Sequence, residues 1–466
     1  MTTPDVSLSA EEVKRLSRKA IWRVMPLVGF LALVAYLDRI SIAFAGPLGM
    51  NKELGLTATT FGFAVSILTI GYVIFEVPTS GLLAKFGTRL WVIRIMLTWG
   101  VIQVLIGFAP NKEMLYLGRF LLGVAEAGIN PALYFFISVW FIRSYRPLAY
   151  TLYGVAIGLS GVFGPLIANS LVSLGGHLNF DGGHGWRFLL VMLGVVALLA
   201  VIPTALWLRD HPRDAKWWTD TERRKYQAML DADAVSANVP HLSIWQVLRQ
   251  WRPWVMGFGY FAFFYAYYTI SVWAPTIVLG FKKQFGTTFT SLQSALITGI
   301  PTLIALIGAL ILGIIAGKRG RSGWLLVGAS VAGAVGCLTT TVARGPWVLI
   351  IALGAVALAG NAIGLYMPIA NRVFAGTGLV AALALINSMG AAAGFFSPLV
   401  TGYLSDVTGN QNAGFYVMTG LLLIAAVISV VAERHANRIE RDSGVSLVSS
   451  GHGTTTASKD GSVPAP

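Results

Sequence analysis

A pair of charged residues lies inside a long apolar stretch of the chain, residues 117–134. This stretch holds Arg119 and Glu126 among glycine and alanine residues. Seven residues are about two helical turns, so in a helix both side chains lie on one face, roughly 10 Å apart along the axis. A charge at the centre of a membrane helix costs at least ~2.5–3.5 kcal/mol, so such residues usually face a cavity or a partner. The pair is therefore either a structural ion pair or part of a binding site, for which the small residues leave room.

Another apolar stretch carries the adjacent charges Asp38 and Arg39. A guanidinium binds a carboxylate through two parallel hydrogen bonds. Arginines inside two apolar stretches therefore predict a site for an organic anion. We expect Arg39 to be the main carboxylate clamp and Arg119 to be a second or gating cation. The alternative, neutralisation of Arg39 by Asp38, is geometrically poor because adjacent helical residues point about 100° apart.

The carboxyl groups of Glu126 and Asp38 are candidates for carrying a proton. A carboxyl group is protonated more readily in an apolar site than beside an arginine. We expect Glu126 to interact with Arg119 until an arriving anion captures that guanidinium, after which Glu126 takes up a proton. A coupling of ~1–3 kcal/mol is enough for a useful bias. Asp38 is the second candidate.

The composition of the chain indicates a polytopic membrane protein. Of its 466 residues, 55% are hydrophobic and 12% are charged, whereas soluble globular proteins are about 25% charged. The predicted fold is all-α, with twelve transmembrane helices in two bundles of six. The apolar segments long enough to cross a bilayer are 22–46, 61–84, 91–109, 113–141, 147–175, 187–208, 254–281, 291–317, 323–343, 346–371, 378–404 and 413–432.

The distribution of basic residues predicts the topology. Most of the 34 Lys and Arg residues fall on the side of both termini, which the positive-inside rule places in the cytoplasm. The net charge of +14 therefore needs no nucleic-acid partner. The predicted regions are a cytoplasmic segment 1–20, a bundle 21–208, a cytoplasmic linker 209–252, a bundle 253–433 and a tail 434–466, largely disordered. The few basic residues on the other side are Lys52, Lys112, Arg187, Lys282, Lys283 and Arg344.

Three motifs resemble those of the major facilitator superfamily. They are Tyr-Leu-Asp-Arg-Ile-Ser at 36–41, Phe-Glu-Val-Pro at 75–78 with the turn at 82–89, and Gly-Arg-Phe-Leu-Leu-Gly-Val-Ala-Glu at 118–126. Within that superfamily, residues 20–435 are similar to the anion:cation symporter family, in its branch of tartrate, phthalate and 4-hydroxyphenylacetate permeases. The resemblance implies a monomeric inner-membrane transporter that works by alternating access and pairs proton-carrying carboxylates with substrate arginines.

The C-terminal half offers neutral polar residues, since its hydrophobic spans contain no Asp or Glu. Neutral donors and aromatic rings suit a hydroxylated or aromatic substrate body. Asn387 is the best candidate for a hydrogen bond to the substrate body. The alternative role for this residue is an interhelical hydrogen bond of ~0.6 kcal/mol. The aromatic candidates of this half are Tyr265, Tyr268 and Tyr366.

Other candidates belong to the N-terminal half. Tyr36 and Tyr72 could donate hydrogen bonds to the substrate carboxylate, or they could be ordinary packing residues. We expect Glu76 to have a structural role at a cytoplasmic gate, beside the basic turn that contains Lys85 and Arg89.

Other chemistry is not indicated by the sequence. It shows no nucleophile–base set, no metal-ligating cluster, no cofactor site and no phosphate-binding loop, so we expect no enzyme activity. The interpretation is a proton-coupled secondary transporter that imports an organic carboxylate such as tartrate, phthalate or hydroxyphenylacetate, with protons and the lipid bilayer as its other partners. The alternatives are an anion exchanger or uniporter of the same fold, or a non-transporting membrane sensor.

Overall fold

A computed structural model describes residues 9–234, 249–287, 289–319, 322–374 and 379–443 of the chain. The regular elements within these ranges are all helical. Twelve of the helices, counting broken ones as one, are long and apolar enough to cross a membrane. The predicted all-α fold with twelve spans is confirmed.

We number the spans in chain order. Those of the N-terminal half are span 1 (Ala10–Ala45), span 2 (Ala58–Phe86), span 3 (Thr88–Gly107), span 4 (Lys112–Glu126 and Ile129–Trp140), span 5 (Arg146–His177) and span 6 (Gly185–Trp207). A linker helix, Asp220–Ala234, follows. Those of the C-terminal half are span 7 (Trp251–Leu279), span 8 (Ser291–Arg319), span 9 (Gly323–Val342), span 10 (Pro346–Asn361 and Tyr366–Val373), span 11 (Leu379–Thr408) and span 12 (Asn412–Ser443).

The first and last spans are longer than their apolar segments. Span 1 begins at Ala10, where Ser9 caps the helix by accepting a hydrogen bond of 3.2 Å from the backbone N–H of Glu12. This cap satisfies a backbone donor and lets the helix start in polar sequence. Span 12 continues through residues 434–443 of the expected tail. The rest of that tail, together with residues 1–8 and 235–248 of the other terminal and linker segments, lies outside the described residues.

Two spans at equivalent places in the two halves are broken at mid-length. In span 4 the break is at Gly128, whose φ of +94° suits glycine. Pro131 follows in the first turn of the new helix, where its missing N–H costs nothing. In span 10 a short 3₁₀ turn, Ala362–Leu365, separates the two helices. The breaks leave Glu126 and Asn361 at the ends of helices near the middle of the molecule.

The two halves pack closely at one end of the molecule. This end lies opposite the start of span 1 and the end of span 12. Span 2 packs on span 11 there, and span 5 packs on span 8. The Ser66 hydroxyl donates to the Phe395 carbonyl at 2.7 Å. The Asp406 carboxylate accepts from the backbone N–H groups of Ala58 at 3.1 Å and Thr59 at 2.7 Å, so it caps the start of span 2 from the other half. These contacts close this end of the molecule.

Candidate functional site

An ion pair between spans 1 and 4 forms the centre of the candidate site. Arg39 Nη2 lies 3.0 Å from Glu126 Oε2. The Glu126 side chain is fully buried, whereas 17% of the Arg39 side chain is exposed. A charge-assisted hydrogen bond of this kind is stronger than a neutral one. The break in span 4 directly after Glu126 holds this carboxylate facing span 1.

The expected pairing of Glu126 with Arg119 is wrong in this structure. Among the described residues Arg119 forms no direct ion pair, and its Nε donates to the Ala64 carbonyl at 3.4 Å. Both residues lie on one face of span 4 as predicted, but the side chain of Arg39 from span 1 reaches Glu126 first. The helical spacing could not reveal this, because it describes one helix and the competing partner is on another.

Asp38 lies behind this pair and is fully buried. Glu126 and Arg119 are charged groups close to its carboxylate. The two carboxylate oxygens of Asp38 have no hydrogen bond of ordinary geometry to the described residues. The same is true of Glu126 Oε1. Two carboxylates and two guanidiniums therefore share one interior cluster, in which Arg39 and Arg119 balance Asp38 and Glu126.

Aromatic rings surround the exposed side of Arg39. Its Cζ atom lies 4.8 Å from the ring centre of Tyr72 and 5.5 Å from that of Tyr36, which are cation–π distances. The Tyr72 hydroxyl also continues into a hydrogen-bonded chain. It donates to Glu76 Oε1 at 3.2 Å and accepts from Asn130 Nδ2 at 3.4 Å, while the Tyr153 hydroxyl donates to Asn130 Oδ1 at 2.7 Å. Spans 1, 2, 4 and 5 thus fix the surroundings of the guanidinium.

A cavity of about 640 Å³ lies between the two halves and reaches Arg39. A smaller space of about 70 Å³ adjoins it, shares Tyr36, Arg39 and Tyr72 with it, and extends to Arg119. The lining of the large cavity from the C-terminal half includes Tyr260, Phe264, Tyr267, Tyr268, Ser271, Asn361 and Asn387. The volume falls within the ~300–1,000 Å³ typical of small-molecule sites.

The cavity opens toward the end of the molecule that carries the start of span 1 and the linker helix. Its wall includes Thr151 from the first turns of span 5 and Asn387 from the first turns of span 11, and both are exposed. Tyr134, in the second helix of span 4, is 46% exposed. The opposite end is closed by the contacts of spans 2 and 11. A ligand can therefore enter from one end only in this conformation.

Two of the predicted aromatic site residues are not among the residues that line the cavity. The Tyr265 hydroxyl lies 3.5 Å from the Thr401 hydroxyl, and the Tyr366 hydroxyl donates to the Met256 carbonyl at 2.8 Å, so both hydroxyls are used in contacts between helices. Tyr268 does line the cavity, as do Tyr134, Tyr260 and Tyr267. The signal that finds the residues of span 7 is periodicity: Tyr260, Phe264 and Tyr267 follow the i, i+4, i+7 spacing of one helical face.

The three residues expected at a cytoplasmic gate lie in two places. Glu76 is on the cavity wall, one helical turn beyond Tyr72. Lys85 is exposed at the end of span 2. Arg89 donates from its backbone N–H to Asp210 Oδ1 at 2.7 Å and from its guanidinium to the Ala205 carbonyl at 2.5 Å. Arg89 therefore fastens the turn between spans 2 and 3 to the end of span 6, away from the cavity.

Twelve spans in two halves around a central charged cavity define a polytopic membrane transporter. The profile of the Major Facilitator Superfamily matches residues 28–378. The chain belongs to the major facilitator superfamily, and the predicted resemblance is confirmed; it is a transporter and not an enzyme.

Similar proteins agree with this assignment. The chain is 34% identical over 431 residues to a protein of Agrobacterium vitis named "Putative tartrate transporter", covering 91% of this chain and 95% of that protein. It is 29% identical over 420 residues to the "Putative metabolite transport protein NicT" of Pseudomonas putida, covering 90% and 94%. Among solved structures, a bacterial homologue of the human lysosomal transporter Spinster, in an inward-facing and occupied conformation, superposes with a TM-score of 0.62 at 15% identity, covering 90% of this chain and 96% of that one.

Proposed function

We propose that this protein imports an organic carboxylate anion together with protons, by alternating access, as a monomer in the inner membrane. The observation that carries the proposal is the Arg39–Glu126 pair at the wall of a cavity large enough for a small organic molecule. A guanidinium that is partly exposed can exchange a protein carboxylate for a substrate carboxylate. The relatives named as tartrate transporters support an organic anion as the substrate.

The coupling follows from charge balance within the interior cluster. Its two guanidiniums and two carboxylates sum to no net charge before the substrate arrives. An anion that takes Arg39 displaces Glu126 and adds a negative charge in a low-dielectric site, which is costly unless a proton neutralises it. Glu126 takes that proton, and Asp38 beside it is the second carrier. In this proposal the substrate therefore takes the Arg39 guanidinium from Glu126. The positive charge of Arg119 continues to neutralise the carboxylate of Asp38.

The conformation in the structure corresponds to one step of the cycle. With both termini in the cytoplasm, the cavity is open inward, and the contacts between spans 2 and 11 close it to the outside. Reorientation then requires those contacts to separate while the cytoplasmic ends approach each other, which is the rocking motion expected of two such halves.

Binding to purified protein tests the site. We expect a panel of mono- and dicarboxylates to raise the unfolding temperature of the wild type, and the same acids to have no effect on Arg39→Ala. Arg213→Ala, which removes an exposed arginine in the linker segment, is the matched control and should respond like the wild type. An acid that stabilises Arg39→Ala as strongly as the wild type would remove Arg39 from the site.

Uptake into proteoliposomes tests the coupling. A hit from the panel should accumulate against its gradient when the lumen is more alkaline than the outside, and only equilibrate when the pH is equal. Uptake that needs a preloaded anion and ignores the pH difference would indicate the exchanger, and equilibration under both conditions would indicate the uniporter. Binding without any uptake would indicate a sensor.

A further inference from the structure

A further arginine, Arg94, lies inside span 3 of the N-terminal half. It follows Thr88, where the span begins, by six residues, which is about 9 Å along the helix. Its neighbours on the same helical face, Leu90 and Leu97, are 58% and 45% exposed, so this face is turned away from the bundle. Arg94 itself is half-buried. A cation within a membrane span is costly and usually has a partner, yet the proposed function gives Arg94 no role.

The guanidinium of Arg94 is turned toward the break in span 4. Its Nη1 donates to the Ala125 carbonyl at 3.4 Å, and its Cζ lies 4.0 Å from the ring centre of Trp91, one turn earlier on span 3. Its Nε is buried and has no hydrogen bond to the described residues. Within the described part of the chain, the acceptor for this side chain is therefore the Ala125 carbonyl, and the Trp91 ring supports the cation from one side.

The Ala125 carbonyl belongs to the end of a helix. The first helix of span 4 ends at Glu126, and the last carbonyls of a helix have no partner within it. These carbonyls carry the negative end of the helix dipole, so a cation beside them is favourable. Ala125 directly precedes Glu126, so Arg94 contacts the peptide group that joins the two residues. A side chain of span 3 thus supports the backbone from which Glu126 reaches Arg39.

We propose that Arg94 is a positioning residue for the proton site, which holds the break of span 4 so that the Glu126 carboxylate meets Arg39. Without this guanidinium, the end of the helix loses its cation and Glu126 is held less firmly against Arg39. A carboxylate that loses its cationic partner takes up a proton more readily. Removal of a nearby positive charge acts in the same direction. This inference rests on the proposed function, because it matters for transport only if Glu126 carries the proton.

The other charged and titratable groups that face Glu126 come from different spans. They are Arg39 and Asp38 of span 1, Arg119 of span 4 itself and Tyr72 of span 2, whose ring lies on the far side of Arg39. Arg94 approaches the break from span 3 and is not among the residues that line either cavity space. A substitution of Arg94 therefore removes no group of the ion cluster and none of the cavity wall.

A titration of the buried carboxyl group tests the inference on the purified full-length protein without any ligand. Infrared difference spectroscopy follows the C=O band of protonated carboxyl groups against pH, and the part of this band that Glu126→Gln removes belongs to Glu126. In Arg94→Leu we expect the midpoint of that part to rise by about 0.5–1 pH unit. Arg94→Lys keeps the charge and should bring the midpoint most of the way back to the wild-type value.

The matched control is Arg209→Leu. Arg209 also donates to a carbonyl at a helix end, that of Leu206 in span 6 at 3.0 Å, but this helix end carries no proton site. The midpoint of the Glu126 band should therefore be the same in this variant as in the wild type. A role of Arg94 in stability alone would lower the unfolding temperature and leave the midpoint in place.

A second variant keeps the test decisive if Arg94→Leu does not fold. Trp91→Leu removes the ring beside the guanidinium and leaves the charge in the chain, so it should raise the midpoint by a smaller amount. A wild-type midpoint in both variants overturns the role of Arg94 and leaves the proposed function standing. An equal rise in Arg209→Leu overturns it as well, because the effect would not depend on the break. If Glu126→Gln removes no part of the band at any pH, Glu126 takes up no proton, and both the proposed coupling and this inference are overturned.

Discussion

The two halves of the cavity differ in chemistry although they share an architecture. Spans 4 and 10 are both broken at mid-length, but the break in span 4 presents Glu126 and that in span 10 presents Asn361. The N-terminal half holds Arg39 and Arg119 at the cavity spaces and the fully buried Asp38 and Glu126 behind them, whereas the C-terminal half lines the large cavity with tyrosines, a phenylalanine and amides. One scaffold thus carries an ionic face opposite a neutral aromatic face.

The division has a consequence for the proposed cycle, in which the two halves move against each other. The Arg39–Glu126 pair lies within one half, so a rigid rotation of the halves leaves its 3.0 Å distance unchanged. An ion pair across the halves would break at each reorientation, at a cost of several kcal/mol for an uncompensated buried charge. In the proposed cycle the charge balance can then respond to substrate and proton, and the neutral half can approach the ligand without desolvating a charge of its own.

The largest expected difference is between Glu126→Gln and Asn387→Ala. Glu126→Gln removes the proposed proton carrier from the ionic face, so under the proposed mechanism uptake driven by a pH gradient should lose its concentrative component altogether. Asn387→Ala removes one neutral amide from the cavity wall on the opposite face, so loss of its proposed hydrogen bond to the substrate should weaken apparent affinity by about 2- to 10-fold and retain accumulation. The measurement is steady-state accumulation in proteoliposomes with an imposed pH gradient. Accumulation at full strength by Glu126→Gln would show that protons are not coupled through this residue.

A second comparison uses glycines of the two halves. In Gly123→Ala of span 4, the new methyl group would meet the backbone of span 2 at the Leu68 carbonyl and at Tyr72 N, 2.9 Å away. Backbone cannot move aside cheaply, so we expect a loss of about 1–3 kcal/mol in the free energy of unfolding. In Gly328→Ala of span 9, the methyl group meets nothing within 4 Å, so a gain of about 0.4–1 kcal/mol is expected. The measurement is the midpoint of thermal unfolding in detergent, which should fall for the first variant only. Equal shifts for the two variants would contradict the close packing of spans 2 and 4.

The fold follows from the sequence more completely than the site does. Apolar length and the placement of basic residues are local properties, and they suffice to predict the twelve helices. Charge within apolar stretches likewise marks Arg39 and Glu126 as candidates for the centre. The partner of Glu126 depends on how far the Arg39 side chain reaches from span 1. The spacing of residues within span 4 carries no information about that reach.

The aromatic residues illustrate a different limit. Residue type alone suggests Tyr265 and Tyr366, but a tyrosine on the packed side of its helix uses its hydroxyl on a neighbouring helix. The side that faces the cavity becomes evident only when the period of 3.6 residues is applied along span 7, where it selects Tyr260 and Tyr267. A break such as that at Gly128 also resets the phase of the period, so residues after it cannot be placed by counting from Arg119.

A third prediction concerns the contact by which the C-terminal half caps the N-terminal half. Asp406→Ala removes the acceptor for the first backbone N–H groups of span 2. Loss of a capping side chain costs about 0.5–2 kcal/mol, so the closed state of this end should become about 2- to 30-fold less favoured. The measurement is the rate at which an impermeant thiol reagent labels Ser66→Cys in a background in which Cys337 is replaced by serine. Glu113→Ala, at the same end but exposed, is the control, and an unchanged rate in Asp406→Ala would show that the cap does not hold this end closed.

The smallest expected effect concerns the linker helix, whose described contacts are with the N-terminal half. Lys19 Nζ of span 1 lies 2.6 Å from Glu222 Oε2, and the Tyr226 hydroxyl donates to the Trp140 carbonyl at 2.8 Å. The hydrogen bond from Lys19 lowers the pKa of Glu222 from its ordinary value of 4.5. A carboxylate whose pKa is lowered in the folded state stabilises the fold at pH values above its ordinary pKa, and this contribution disappears as the pH falls through the pKa of the folded state.

Because the pair is near the surface, Glu222→Gln should cost less than about 1 kcal/mol at pH 7. Unfolding midpoints of the variant and the wild type should therefore differ slightly at pH 7 and converge below pH 4.5, whereas a difference that persists in acid would mean that Glu222 acts through packing and not through its charge.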